Sequence, residues 1–298
     1  MTTYGTTNGS AAAPNGPSGD EEQPLLRNGH SKPRSVVSRF RKQMTAEVSR
    51  SWADVVLLLC YVVTGLLDSA STQVWGAFVS MQTELKDWEP ENANHLMSKH
   101  IGNTVYVGLG LASLIYPPTN ARLYKSGISL FCFCIGSFLF ARFHRYFSPK
   151  RRWVLCVSFA AQTLFIVAAA LIVTLTTPSE DKDHVGWTVL APLALVAFQS
   201  CGQAVTSRAL KYNALTSVVL TSIYCDLFSD QDLFAFQNAE RNRRAAAPTL
   251  LLVGAVLGGI FSHSSLGIAG ALWTAAVLKA IMVITWFFWP AEPSDDEE

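Results

Sequence analysis

The sequence predicts an all-α, polytopic bundle of membrane-spanning helices, and three observations carry that reading. Half of the 298 residues are hydrophobic and only 15% are charged, where a soluble domain of this size carries about a quarter. The charges are segregated into the first fifty residues, a few short loops and the last residues of the chain. Between them lie six neutral apolar stretches, at about 53–72, 126–144, 152–176, 186–207, 245–263 and 266–289. Each suits a hydrocarbon core of about 30 Å, which takes about 20 helical residues. Trp52, Trp153, Trp187, Trp286 and Trp289 fall at the ends of these stretches, where amphipathic rings favour the membrane interface. The formal net charge of +1 says little, because the basic start and acidic end offset one another.

Residues 1–50 are rich in Gly, Ser, Pro, Asn and Thr and turn basic through Arg34, Arg39, Arg41 and Lys42. Such a segment cannot bury enough apolar area to offset its ordering entropy, so it reads as a disordered cytoplasmic tail. It has no apolar core of the signal-peptide kind. Residues 35–50 read either as a basic amphipathic helix on anionic lipid or as a solvated tail, the latter preferred. Glu21, Leu25 and Leu26 match an acidic dileucine sorting signal, which expects a vacuolar, lysosomal or plasma-membrane location. At the other end, 291–298 is an acidic tail.

The membrane domain, about 51–290, contains two apolar pieces that are not simple spans. The first is 73–83 with 102–116, separated by the polar segment 84–101; the second is 213–228, short and studded with hydroxyls and Asp226. Backbone opened at membrane depth must find partners in protein or in a water-filled cavity, and broken helices of this kind build transporter sites. Lys and Arg choose the topology. If both pieces are re-entrant, the first fifty residues, 142–152, Arg208 with Lys211, and 241–244 share the cytoplasmic side. If both cross, 142–152 falls outside, so the re-entrant arrangement is expected. The two halves, about 51–177 and 186–289, also resemble each other: Gly65 and Asp68 answer Gly202 and Val205, and a Thr follows each about eighteen residues later, Thr83 and Thr221. With three crossings per half the repeat would be inverted.

Polar residues inside these spans are the candidate site. An ionisable group there costs about 2.5–3.5 kcal/mol on insertion scales and usually faces protein or water. Asp68 stands out, and two readings stay open: a proton or cation relay, or a helix cap near the outer surface. Gln82, Thr83, Gly102, Asn103 and Thr104 surround the first break; they either offer groups to a ligand or close a turn with φ > 0. Gln199, Ser200, Cys201, Gly202, Gln203 and Thr206 form a polar patch in the fourth span, and Thr221, Ser222 and Asp226 belong to the second break. Gly136, Gly254, Gly258 and Gly259 are expected to let helices approach closely.

Enzyme chemistry is not expected. The six histidines form no His-Glu-x-x-His pattern and there is no Gly-x-Ser-x-Gly elbow or phosphate loop. The six cysteines lack metal-type spacing and sit mostly in apolar stretches. No cofactor, metal or nucleic acid is expected; the partners are the bilayer and a small solute or ion, with the oligomer left open.

Gly-x-x-Asp, then Phe-Val-x-x-Gln-Thr leading toward Gly-Asn-Thr, then the Gln- and Gly-rich fourth span and a Thr-rich segment resemble the YoaK family of integral membrane proteins, also called domain of unknown function family 1275. The run ending at Asp226 and the motif Asn238-x-x-Arg241-Asn-Arg-Arg most resemble its fungal members. The resemblance covers about 50–289 and implies a multi-spanning protein without an assigned substrate. In the family the Thr matching Thr83 runs directly into Gly-Asn-Thr; here 84–101 intervenes. It is either an error of the gene model at a splice junction or an insertion that alters the site. The expected function is a secondary-transporter-like permease for a small solute, with a non-transporting scaffold or regulator as the alternative.

Overall fold

The computed structural model describes residues 36–49, 52–80, 102–114, 121–176, 185–212, 215, 217, 219–235 and 237–292. These form α1 (Val36–Thr45), α2 (Ala53–Trp75), α3 (Asn103–Ser113), α4 (Ala121–Phe147), α5 (Arg152–Leu175), α6 (Trp187–Ala209), α7 (Thr221–Phe228), α8 (Ala239–His263) and α9 (Gly267–Phe288). Six of them, α2, α4, α5, α6, α8 and α9, are long and apolar enough to cross a membrane. They lie on the six stretches expected, with α4 and α8 extended by several polar residues. α8 reaches back to Ala239 because Asn238 caps it, accepting the Arg241 amide at 3.0 Å. Arg243 pairs with Asp54 at 2.6 Å and Arg244 with Asp230 at 3.2 Å, so the basic first turns are neutralised.

Contacts at the helix ends fix the directions. The Val48 amide donates to the Lys150 carbonyl at 2.8 Å, and Glu47 bridges Arg151. Asp54 meets Arg243, while Arg152 donates to the Trp289 carbonyl. The starts of α2, α5 and α8 and the ends of α4 and α9 therefore share one end of the bundle, here the near end. α6 finishes there too, since Tyr212 just beyond it lies 5.7 Å beneath the Arg243 guanidinium. At the far end Ser262 donates to Gln73 at 2.6 Å, and the Trp273 indole to Thr174 at 3.2 Å. The six long helices alternate in direction: α2, α5 and α8 run away from the near end, and α4, α6 and α9 run toward it. Between α2 and α4 the chain starts and finishes at the far end. α3, with 11 residues, is about 16 Å long and too short to cross.

Packing follows the division into halves. α2 lies on α8 as α6 lies on α4, α2 on α9 as α6 on α5, and α3 on α4 as α7 on α8, with α5 against α9 between the halves. Exchanging one half for the other leaves this pattern unchanged. Lipid tails are as apolar as Leu, so such contacts gain from close packing rather than from expelling water. Gly65 and Gly254 permit the closest approach: a Cβ at Gly65 would stand 2.0 Å from the Leu251 carbonyl oxygen, and one at Gly254 2.1 Å from that of Val62. Gly259 does not share this role, since its nearest contact would be an ordinary 3.5 Å.

Some expectations are corrected. Residues 36–49 keep mostly exposed side chains but are not without structure: α1 sets Phe40 against Phe287, Val48 is buried, and Arg152 donates to the Gln43 carbonyl at 2.8 Å. Buried partners at the near end offset the ordering cost that composition assigns to this stretch. The start of the acidic tail is held too, with the Glu292 amide on the Glu47 carbonyl at 3.0 Å. Trp286 is not interfacial but fully buried, between Phe159 and Trp289. The dileucine residues Glu21, Leu25 and Leu26, the segment 84–101 and the tail 293–298 lie outside the described residues.

Candidate functional site

Two buried polar clusters meet in the middle of the bundle. The first surrounds the chain that leaves α2. Gly76 ends this helix in the left-handed region at φ 74°, donating to the carbonyls of Ser71 and Thr72. Residues 77–80 then run non-helically and are buried. In hydrocarbon each unsatisfied backbone group would cost several kcal/mol, yet side chains from four helices take them up. Asp68 accepts the amides of Val79 at 2.8 Å and Ser80 at 2.9 Å, and the Ser80 hydroxyl donates to its second oxygen. Asn103 donates to the Phe78 carbonyl at 2.7 Å and accepts the Phe78 amide at 3.3 Å. Ser129 donates to that carbonyl at 2.8 Å, and Ser200 to the Val79 carbonyl at 2.9 Å.

The second cluster centres on Lys279, which stands in the middle of α9 and is 0% exposed. Its ammonium donates to Gln162 Oε1 of α5 at 2.6 Å and to Gln203 Oε1 of α6 at 2.7 Å. It also lies 5.0 Å over the Phe159 ring. No carboxylate among the described residues comes within ion-pair distance of it. Insertion of a lysine costs about 2.5–3.5 kcal/mol, and each charge-assisted hydrogen bond returns about 1.5–3 kcal/mol. Two of them with the ring contact therefore hold it in place without a counter-ion.

From Lys279 the polar contacts continue in two directions. Gln203 Nε2 donates to Thr64 of α2 at 2.5 Å and to Ser217 at 2.7 Å. Gln162 Nε2 lies 3.4 Å from Ser158, which is 3.1 Å from His144 Nε2 of α4, and Thr206 is 3.3 Å from the same nitrogen. Thr64 and Ser200 each stand one helical turn from a member of the other cluster, Asp68 and Gln203. The clusters therefore share α2 and α6 as walls.

The sequence-predicted residues separate cleanly. Asp68 and Asn103 hold the first cluster; Gln203 and Thr206 belong to the second. Asp68 is only 3% exposed, and it caps the main chain that follows α2 rather than standing in solvent. Gln199 is buried one turn before Gln203, with its Oε1 unpartnered. Gly102 is buried at φ −63°, so the turn that would need φ > 0 there does not form. Thr104 is exposed, as are Thr221 and Ser222 at the start of α7, apart from both clusters. Gln82 and Thr83 lie outside the described residues. Lys279, Gln162, His144 and Ser129 are absent from the sequence-based site, whereas Ser200 belongs to the polar patch expected in the fourth span. The signal for Lys279 is the one that picks out Asp68, a charge well inside an apolar span.

Among comparisons with known proteins, no curated protein and no solved structure matches the chain. A family model described as protein of unknown function (DUF1275) matches residues 93–285. Lys279, Gln162, Gln203 and His144 lie within that range, while Asp68 and the whole of α2 precede it.

Proposed function

The chain belongs to the DUF1275 family, and from that premise we propose that it is a secondary-transporter-like permease for a small solute. The observation that carries the reading is Lys279, a buried ammonium with no carboxylate partner among the described residues, bridging Gln162 of the first half and Gln203 of the second. Stability alone is a poor reason to keep such a charge, because a well-packed apolar side chain serves as well or better. Intramembrane charges instead mark solute and ion pathways. The antiparallel halves support an inverted repeat, and the side-chain-held residues 77–80 support a re-entrant segment, the two devices of alternating access. In this reading the near end is cytoplasmic, since Lys150, Arg151, Arg208, Lys211 and Arg241 gather there.

Flux into liposomes is the direct test. Reconstituted protein should take up one solute class from a panel of inorganic anions, organic acids, amino acids, sugars and cations, and Lys279→Met should abolish that uptake. Silence across the whole panel would leave the scaffold reading, which draws on the mutual satisfaction of most polar atoms in the two clusters. A cysteine label at Ser148, reactive only from the cytoplasmic side of intact cells, tests the orientation.

A further inference from the structure

We propose that the cavity between α4 and α6 binds an amphipathic anion, its carboxylate or phosphate head on Arg145 and Arg208 and its apolar body along Phe133, Ala204 and Val219. The cavity holds about 560 Å³ and lies toward the near end. Three nitrogen-bearing side chains line it, and no acidic residue does. Neither the Arg145 nor the Arg208 guanidinium pairs with a carboxylate among the described residues, although five other ion pairs form at the near end.

His144 also lines the cavity and is 2% exposed, with its Nδ1 buried and without a partner. Its Nε2 meets Ser158 of α5 at 3.1 Å and Thr206 of α6 at 3.3 Å, so neighbours from two helices hold the ring in the wall. An anionic oxygen between Arg145 and Arg208 takes charge-assisted bonds from both. The rest of the wall is apolar, which selects a ligand with a hydrocarbon body over a bare inorganic ion. Two sources share this chemistry: a water-borne alkyl carboxylate, and an anionic phospholipid entering from the bilayer, as basic pockets between spans do at the cytoplasmic face. The site stands whether or not the protein transports.

Binding is measured on the full chain in phosphatidylcholine nanodiscs, with octanoate titrated calorimetrically in one arm. In the other, phosphatidylglycerol is added to the discs and retained lipid is counted by native mass spectrometry. Arg208→Gln and Arg145→Gln should each weaken binding by about tenfold or more, and Ala141→Phe should block it by filling the space. Lys150→Gln, at the same end but outside the cavity, should leave it unchanged. Octanoate affinity lost in these variants assigns the site to a water-borne anion, and lost phosphatidylglycerol retention assigns it to a lipid. The proposal is overturned if wild-type protein holds neither probe, or if Ala141→Phe, shown folded by its melting curve, holds both as well as wild type. That last arm decides even where an arginine variant fails to fold.

Discussion

The helix pair α2–α8 and its counterpart α6–α4 occupy equivalent places, yet one is closed and the other is open. In α2–α8 three glycines set backbone against backbone. Cβ atoms at Gly65, Gly254 and Gly258 would stand 2.0, 2.1 and 2.4 Å from carbonyl oxygens of the facing helix. In α6–α4 only Gly136 plays that part, facing Cys201 Sγ and the Phe198 carbonyl at 2.5 and 2.7 Å. Toward the near end that pair parts around a cavity of about 560 Å³. Two similarly placed helix pairs thus differ, one a locked seam and the other a seam with room. Small residues hold helices together where lipid offers no hydrophobic drive, and their number tracks the difference.

The locked seam should be the most sensitive place in the molecule. Gly65→Ala drives a Cβ into a main-chain oxygen that no rotamer change can move aside, so the helices must separate. A cost of about 3 kcal/mol or more is expected, read as a lowered unfolding midpoint in detergent. Gly136→Ala should cost somewhat less, because the Cys201 thiol can rotate away and the main-chain oxygen the new Cβ then meets, that of Phe198, stands farther off at 2.7 Å. Equal losses at the two positions would mean that the seams do not differ in rigidity.

The next largest effect separates the two connections. Asp68→Ala leaves the amides of Val79 and Ser80 buried without an acceptor, at about 1–3 kcal/mol each. Gln203→Leu removes the partner of Ser217 but strands no backbone amide. Its cost should stay nearer 1–2 kcal/mol, arising chiefly from Lys279 losing one of its two amide oxygens. If hydrogen exchange at Val79 and Ser80 is unchanged in Asp68→Ala, the carboxylate does not hold that segment.

How legible these features are depends on what a linear sequence can encode. The six spans stand out because length and apolarity are local properties. Asp68 and Asn103 stand out because polar groups beside a broken apolar stretch must be spoken for. Their partner Ser129 does not, since a serine in a span looks the same whether it back-bonds its own helix or reaches another; Ser200 is marked only by the polar patch around it. Lys279 is masked by averaging: one lysine hardly lowers the mean of the most apolar span, although its place in the middle marks it by the reasoning that flags Asp68. Thr221 looks equivalent to Thr83 by spacing, but tertiary packing leaves it on the exposed side of α7, where only Ile223 is buried.

Lys279→Met tests stability and function in one experiment. Met matches the stem in shape but leaves Gln162 Oε1 and Gln203 Oε1 without their common donor, so a loss of about 1–3 kcal/mol per stranded oxygen is expected. Solute flux should disappear as well. A variant that keeps full flux would remove Lys279 from the pathway and return the central cluster to a purely structural role.

The smallest effect is expected where the two connections look most alike in sequence. Thr221→Ala and Ser222→Ala change exposed hydroxyls at the start of α7, away from both clusters, and exposed positions of this kind move stability by less than about 0.5 kcal/mol. Their flux should equal wild type within error, while Asp68→Asn, acting on the buried connection, should slow it. Asn keeps one acceptor oxygen for the amides of Val79 and Ser80 but gives the Ser80 hydroxyl a weaker, neutral partner. Should Thr221→Ala slow flux as much as Asp68→Asn, α7 must swing inward during the cycle, and the two connections would be alternating counterparts of one gate.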